Sequence, residues 1–306
     1  MPFDIHSPTE TLGLPWFSER SLAVDIKRDD KIHPFISGNK WRKLKYVLES
    51  ARLAAKTRLV TFGGAWSNHL LATACAGATF GFKTTGFVRG EPVSNPVLSL
   101  CRVYGMELRF VDRTSYRNKP LLFEQHFAAE AGACFIDEGG YGIAGTKGCA
   151  EIIDELPRAY DHIFCACGTG TTIAGLYHGC ARKRLETQLH GVAVLAGGDF
   201  ISGAVRALYP ELQLDRLTSH TTYHFGGYAK TSPKLNAFIR HFTAQTGILI
   251  EPVYTGKLLY AVFDLAEQNY FSAGDRILLI HTGGLTGMLG LHEQVAGQPT
   301  TAPEHE

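Results

Sequence analysis

The most constraining feature of this chain is a repeated unit, a short apolar or β-branched run that closes on glycine or a polar turn. After each run comes a longer stretch whose apolar residues recur three and four apart. A first series predicts strands over 58–62, 83–88, 107–111 and 133–136, each followed by a helix, over 70–78, 96–104, 119–131 and 144–155. A second series predicts strands over 162–166, 192–195 and 277–280, with helices over 173–183, 201–208 and 288–295. Strands that alternate with helices are joined by crossovers rather than hairpins, so the pattern specifies an α/β fold of mostly parallel sheets covered by helices. Strands over 22–27 and 222–225 and helices over 233–245 and 258–268 complete the reading. Local signals agree: Pro120 stands in the first turn of its helix, and Gly247 follows the 233–245 helix where a C-terminal cap belongs.

With 306 residues the chain has enough length for two domains, and the two series divide near residue 160. Thirty basic and 29 acidic side chains are spread without a basic block, which points away from nucleic acid and from anionic membrane surfaces. No apolar run is long enough to span a bilayer, and MPFDIHSPTETLGLPW lacks the charged and apolar regions of a secretory leader. A cytoplasmic location is expected. Seven cysteines form an odd set within apolar segments, the pattern of buried free thiols. Cys165 and Cys167 flank one residue of a strand, but no second pair or histidine motif joins them, so no metal site is expected. The closing GQPTTAPEHE reads as a disordered tail.

Candidate chemistry lies at the strand-to-helix turns. In FISGNKWRKLKY, Ser37-Gly38 forms a turn, Asn39 a candidate cap, and Lys40 opens a helix whose apolar face carries Trp41, Leu44 and Leu48. A helix start with Arg42, Lys43 and Lys45 nearby favours a neutral amine, which can attack a carbonyl, so Lys40 is a Schiff-base candidate. The alternative is a solvated basic helix start. Gly168-Thr169-Gly170-Thr171-Thr172 offers backbone amides, three hydroxyls and a helix N-terminus, a set suited to a phosphate. The same sequence also serves a ligand-free βα turn. It lacks the third glycine of a dinucleotide fingerprint.

Gly63-Gly64-Ala65-Trp66-Ser67-Asn68-His69 places a hydroxyl, an amide and an imidazole at another helix start, where they could bind a carboxylate, donate to an oxygen or move a proton. Equally, Ser67 or Asn68 caps the helix. His281-Thr282-Gly283-Gly284 ends a central-type strand, where open α/β sheets hold ligands, and Tyr254 follows another apolar run. Together these supply what pyridoxal phosphate needs: an amine for an imine, a phosphate cradle, an amide for the ring oxygen and a hydroxyl for the ring nitrogen.

The motifs SGNKWRKLKY, FGGAWSNH, CGTGTTIAGL, EPVYTGK and HTGG, in this order, resemble those of the D-cysteine desulfhydrase and 1-aminocyclopropane-1-carboxylate deaminase family. That family lies within the tryptophan-synthase-β-like, fold type II pyridoxal phosphate enzymes. The resemblance covers most of the chain from residue 20 onward. It implies two three-layer domains with mostly parallel open sheets, a larger one of residues 1–48 plus 160–306 and a smaller one of 49–159 inserted in it. It also implies a homodimer and a small amino acid as substrate.

By the same resemblance Lys40 carries the cofactor, Asn68 meets its ring hydroxyl, residues 168–172 hold its phosphate and Thr282 faces its ring nitrogen. Ser67, Asn68 and His69 serve the substrate carboxylate and nearby proton transfer, Tyr254 is an active-site tyrosine, and His281 is a further substrate-side group. The deaminases carry a glutamate preceded by tyrosine where this chain has His281-Thr282, and a glutamine where it has His69. A hydroxyl facing the ring nitrogen weakens the electron sink that ring opening needs, yet suffices for α-proton removal with β-elimination. The implied reaction is conversion of D-cysteine to pyruvate, sulfide and ammonia, with ring opening, β-replacement and racemisation as alternatives, and a catalytically silent sensor or scaffold as the non-enzymatic one.

Overall fold

The computed structural model describes residues 5–297; the tail expected to be disordered begins at Gly297 and otherwise lies outside the described residues. Two sheets organise the chain. The six-stranded sheet has the order β1 (Thr9–Thr11), β2 (Ala23–Arg28), β10 (Arg276–His281), β7 (His162–Cys167), β8 (Gln188–Ala193), β9 (Leu217–His220). The four-stranded sheet has the order β5 (Met106–Val111), β4 (Lys83–Arg89), β3 (Arg58–Gly64), β6 (Ala133–Phe135). All neighbours are parallel except β1, which runs antiparallel along β2.

Side-chain alternation makes each sheet a middle layer. Along β7, Phe164 and Ala166 enter one core while Ile163, Cys165 and Cys167 enter another, and along β10 Ile277 and Leu279 part from Leu278 and Ile280 in the same way. Burying side chains of this size stabilises by roughly 1.5–3 kcal/mol each, which is why such two-faced apolar strands become the centre of a sheet. The smaller sheet repeats the arrangement, with Leu59 on one face and Val60 and Phe62 on the other. Six of the seven cysteines are buried, Cys134 is half-buried, and all are free.

Three expectations shift. The strand placed at 192–195 begins earlier, at Gln188, and the one placed at 222–225 is Leu217–His220, with a turn at 222–225. Both strands look polar because they share an imidazole ladder: His162 Nδ1 lies 2.9 Å from His190 Nε2, and His190 Nδ1 lies 3.1 Å from His220 Nε2. The histidines satisfy one another across three strands, so polar residues fill a face that a hydropathy pattern reserves for apolar ones. The helix expected over 288–295 is a 3₁₀ turn, Leu285–Gly290, followed by the short helix His292–Ala296. The change of path occurs where Gly290 passes against the Trp66 ring.

The helix Asn39–Leu53 joins the two parts. Trp41, Leu44, Leu48 and Ala51 pack into the core beside β3, while Arg42 pairs with Asp29 at 2.9 Å and with Glu155. Gly63-Gly64, Gly168 and His281-Thr282 thus stand at the C-terminal ends of β3, β7 and β10, where parallel sheets place ligands.

Candidate active site

Lys40 is fixed by the turn before it. Gly38 adopts φ +58 and ψ −131, and a Cβ there would overlap the carbonyl of Thr282, so only glycine lets the helix start press on the end of β10. The Asn39 amide donates to Thr282 O at 3.2 Å, and Ser37 Oγ accepts from Gly284 N at 3.4 Å. Asn39 does not cap the helix as its sequence position suggests. Its Nδ2 donates to Thr172 Oγ1 at 3.1 Å and its Oδ1 accepts from Lys40 Nζ at 2.7 Å. One side chain therefore ties the amine to the GTGTT turn.

Desolvation, and then the ammonium of Lys43 one helical turn away, push the Lys40 amine down to about 7. Of the basic neighbours in the sequence only Lys43 acts in this way, because Arg42 is neutralised by Asp29 and Glu155, and Lys45 by Glu151 at 2.7 Å. Lys43 is itself buried, donates to Gly139 O at 3.1 Å, and is lowered by burial. It is a second cation facing the same space.

The GTGTT turn lies where β7 enters the helix Thr171–Arg182. Gly170 opens the helix at φ +79, and the Thr169 and Thr171 hydroxyls are 3.1 Å apart. Helix-start amides have no intrahelical acceptor, so this end carries free donors and positive potential. Tyr254 lies over Gly168, its hydroxyl 3.4 Å from where a Cβ would stand. Burial, with Tyr228 beside it, holds the Tyr254 phenol well above its usual range and hence protonated.

At the end of β3, Ser67 caps the helix Asn68–Phe80, its Oγ accepting from His69 N at 3.2 Å and Leu70 N at 3.3 Å. Those two amides are spent on the cap rather than offered to a carboxylate. Asn68 is clamped: Thr286 Oγ1 donates to its Oδ1 at 2.5 Å and its Nδ2 donates to Gly284 O at 3.3 Å, leaving one amide hydrogen uncommitted. His69 is buried, with Nε2 2.9 Å from Thr61 Oγ1 and no partner for Nδ1. Desolvation and the neighbouring Lys40 and Lys43 keep its ring neutral.

His281 is not brought into this group by its side chain. It is buried, with Nε2 2.9 Å from Leu249 O, Nδ1 accepting from Gly283 N at 3.2 Å, and Asp30 3.6 Å away. Its role is to shape the turn that presents Thr282. Sequence reasoning left Glu251 without a role although EPVYTGK contains it. Its buried carboxylate accepts from Val253 N at 2.7 Å, Tyr254 N at 2.9 Å and Thr255 N at 2.7 Å, and so fixes the backbone that carries Tyr254.

A family model described as "Pyridoxal-phosphate dependent enzyme" matches residues 3–283. The chain belongs to this family. It is 32% identical over 303 residues to a Thermotoga maritima protein provisionally named a 1-aminocyclopropane-1-carboxylate deaminase, covering 92% of this chain and 95% of that one. An Arabidopsis thaliana protein named a bifunctional D-cysteine desulfhydrase/1-aminocyclopropane-1-carboxylate deaminase is 27% identical over 311 residues, covering 93% and 77%. A crystal structure of an ACC deaminase homologue superposes with a TM-score of 0.84 at 27% identity over 97% of this chain and 94% of that one. The α/β architecture of mostly parallel sheets is that of fold type II members. The cofactor of the family is pyridoxal phosphate, and the donors present suit it. A depressed amine stands next to a hydroxyl-rich helix start, a second lysine supplies charge for an anion, and the orphaned His69 Nδ1 awaits a partner.

Proposed function

We propose that this pyridoxal-phosphate dependent enzyme is a lyase that eliminates the β-substituent of a small D-amino acid, converting D-cysteine and water to pyruvate, sulfide and ammonia. The observation that carries the reading is the helix start, where a Lys40 amine lowered to about 7 is pinned through Gly38 and Asn39 against the backbone carbonyl of Thr282, a residue that carries a hydroxyl and not a carboxylate. Pyridoxal phosphate bound there supplies the sink for the electron pair left when the Cα–H bond breaks. The chain supplies the rest. Lys40 carries the cofactor and, neutral near pH 7, accepts the α-proton. Gly168, Thr169, Gly170, Thr171 and Thr172 would hold the phosphate with Lys43 in support, and Asn68 would offer its uncommitted amide hydrogen to the ring oxygen. Tyr254, held protonated, is the donor to the departing sulfur, and His69 Nδ1, left an acceptor because Thr61 Oγ1 donates to Ile136 O and takes Nε2–H, is available to a proton on the substrate side. Ser67 acts chiefly through its cap, which orients Asn68 and His69.

A second reading, deamination of 1-aminocyclopropane-1-carboxylate, is favoured by the names of the relatives. The two give different ketoacids. Purified protein reconstituted with cofactor is offered D-cysteine, L-cysteine, D-serine and aminocyclopropane carboxylate, with pyruvate and 2-oxobutyrate assayed separately. Pyruvate and sulfide from D-cysteine support elimination; 2-oxobutyrate as the main product transfers the assignment to ring opening.

A further inference from the structure

Lys257 lies in the first turn of the helix Thr255–Glu267, at the electropositive end where a lysine is least favoured, and it is fully buried. Such a placement needs compensation, and the structure provides it. Nζ donates to His224 O at 2.8 Å, to Gly227 O at 2.8 Å and to Val194 O at 3.5 Å, with the Glu251 carboxylate adding attraction. Three backbone oxygens match the three N–H donors of one ammonium, and the same carbonyl oxygens are the type that also ligates a monovalent cation. Two of them belong to a turn of unfavourable conformation, with φ +51 at Phe225, +94 at Gly226, +119 at Gly227 and +55 at Ala229. The turn has bonds of its own, Gly227 N to His224 O at 3.0 Å and Lys230 N to Gly227 O at 3.1 Å, but the left-handed Phe225 and Ala229 work against it. The residue that follows Gly227 is Tyr228, whose ring meets Tyr254 edge-on at 6.0 Å.

We propose that Lys257 is a positioning residue, a cation built into the chain that holds the 224–228 turn closed so that Tyr228 keeps Tyr254 against Gly168. The inference rests on the active-site reading only in its effect on turnover; its structural part stands on the turn alone. The enzyme accordingly needs no added monovalent cation, and removing the ammonium creates that need. Lys257→Met is the informative variant, because methionine reproduces the stem while leaving the position of Nζ open.

In the holoenzyme with tetramethylammonium chloride, amides 225–229 of the variant exchange about tenfold or more faster than in the parent while those of the Thr171–Arg182 helix are unchanged. KM for the turnover substrate rises by about tenfold or more, with a smaller change in kcat. Potassium chloride at equal ionic strength reverses both effects. Gly227→Ala, which disfavours φ +119 at a buried position where the added Cβ would make only ordinary contact with Ala196, gives the same exchange and KM changes without potassium reversal, and it decides the matter if Lys257→Met does not fold. Unchanged exchange in the turn, faster exchange with unchanged KM, or equal action of the two salts overturns the proposal. The exchange readout needs no substrate, so it stays separate from the identity of the reaction.

Discussion

Two lysines, Lys40 and Lys257, each occupy the first turn of a helix, and each is lowered by burial, to about 7 and about 8. Their surroundings differ in kind. Lys257 has three carbonyl oxygens and only attraction from nearby charge, whereas Lys40 has one amide oxygen and the repulsion of Lys43. Burial lowers both, so burial alone does not mark a reactive amine. What separates them is the supply of acceptors: Lys257 is equipped to stay an ammonium and bind backbone, and Lys40 is left poorly solvated and poorly bound, ready to give up its proton.

The strongest test of this contrast is to remove each amine in turn. Lys40→Ala is expected to lose the visible absorbance of covalently held cofactor and to lower turnover by about 10³-fold or more, since the other amine in that space, Lys43, is committed to Gly139 O. Lys257→Met is expected to keep that absorbance. A Lys40→Ala protein with normal absorbance, or a Lys257→Met protein without it, would reverse the two roles.

A smaller effect appears in stability. The folded Lys40 titrates near 7 and the unfolded residue near 10.5, so between those values the unfolded chain binds more protons and folded stability rises with pH. At or below pH 7 the buried ammonium therefore costs the fold roughly 2–4 kcal/mol, after allowance for its partial access to solvent. Cofactor-free Lys40→Met is expected to be more stable than the parent by that amount at pH 7, with the gap closing toward pH 10.5, measured by urea unfolding across the range. A gap that does not narrow with pH would mean that the amine is charged in the fold and the contrast with Lys257 is only one of position.

How much of this contrast the sequence carries can be judged from particular residues. The strand-to-helix rhythm and its glycines made the α/β architecture and the turns at 63–69, 168–172 and 281–284 legible, because helix and strand periodicities are local properties. Lys40 was legible as a candidate, but the sequence ascribes its depressed amine to a helix start with Arg42, Lys43 and Lys45, whereas burial is the larger cause and Lys43 the one basic neighbour that adds to it. The job of Asn39 was not legible, since its partners Thr172 and Thr282 are remote in sequence. His281 shows another limit: the resemblance made it a substrate-side group, and the sequence held no sign that its ring is buried against Leu249 O and Gly283 N. The strands at Gln188–Ala193 and Leu217–His220 were obscured because imidazole satisfying imidazole across the sheet leaves no hydropathy signal.

Glu251 attracts both lysines and is the group they share. Burial raises its own pKa while three backbone amides and the Thr255 hydroxyl oppose that rise. In Glu251→Gln the amide nitrogen must face a backbone N–H that now donates to a carboxylate oxygen, so one buried donor loses its acceptor. The expected cost is about 2 kcal/mol in denaturant unfolding, with the Thr255–Glu267 helix start loosened first in hydrogen exchange. Both amines should also titrate lower than in the parent. A variant as stable as the parent would show that the helix start is held by something other than this carboxylate.

The finest test separates burial from repulsion at Lys40. Desolvation is the larger cause of its lowered pKa and the Lys43 ammonium the smaller, so Lys43→Met leaves most of the depression in place and removes the rest. The midpoint for reaction of Lys40 with an aldehyde should rise by roughly half to one pH unit, read from the pH dependence of the rate in cofactor-free protein. Pyridoxal without its phosphate is the proper probe, because Lys43 also stands where an anion would bind and its loss would weaken uptake of the phosphorylated form for an unrelated reason. With that probe, an unmoved midpoint assigns the whole depression to burial. Lys40 would then differ from Lys257 only in what it lacks, three carbonyl oxygens, and not in what repels it.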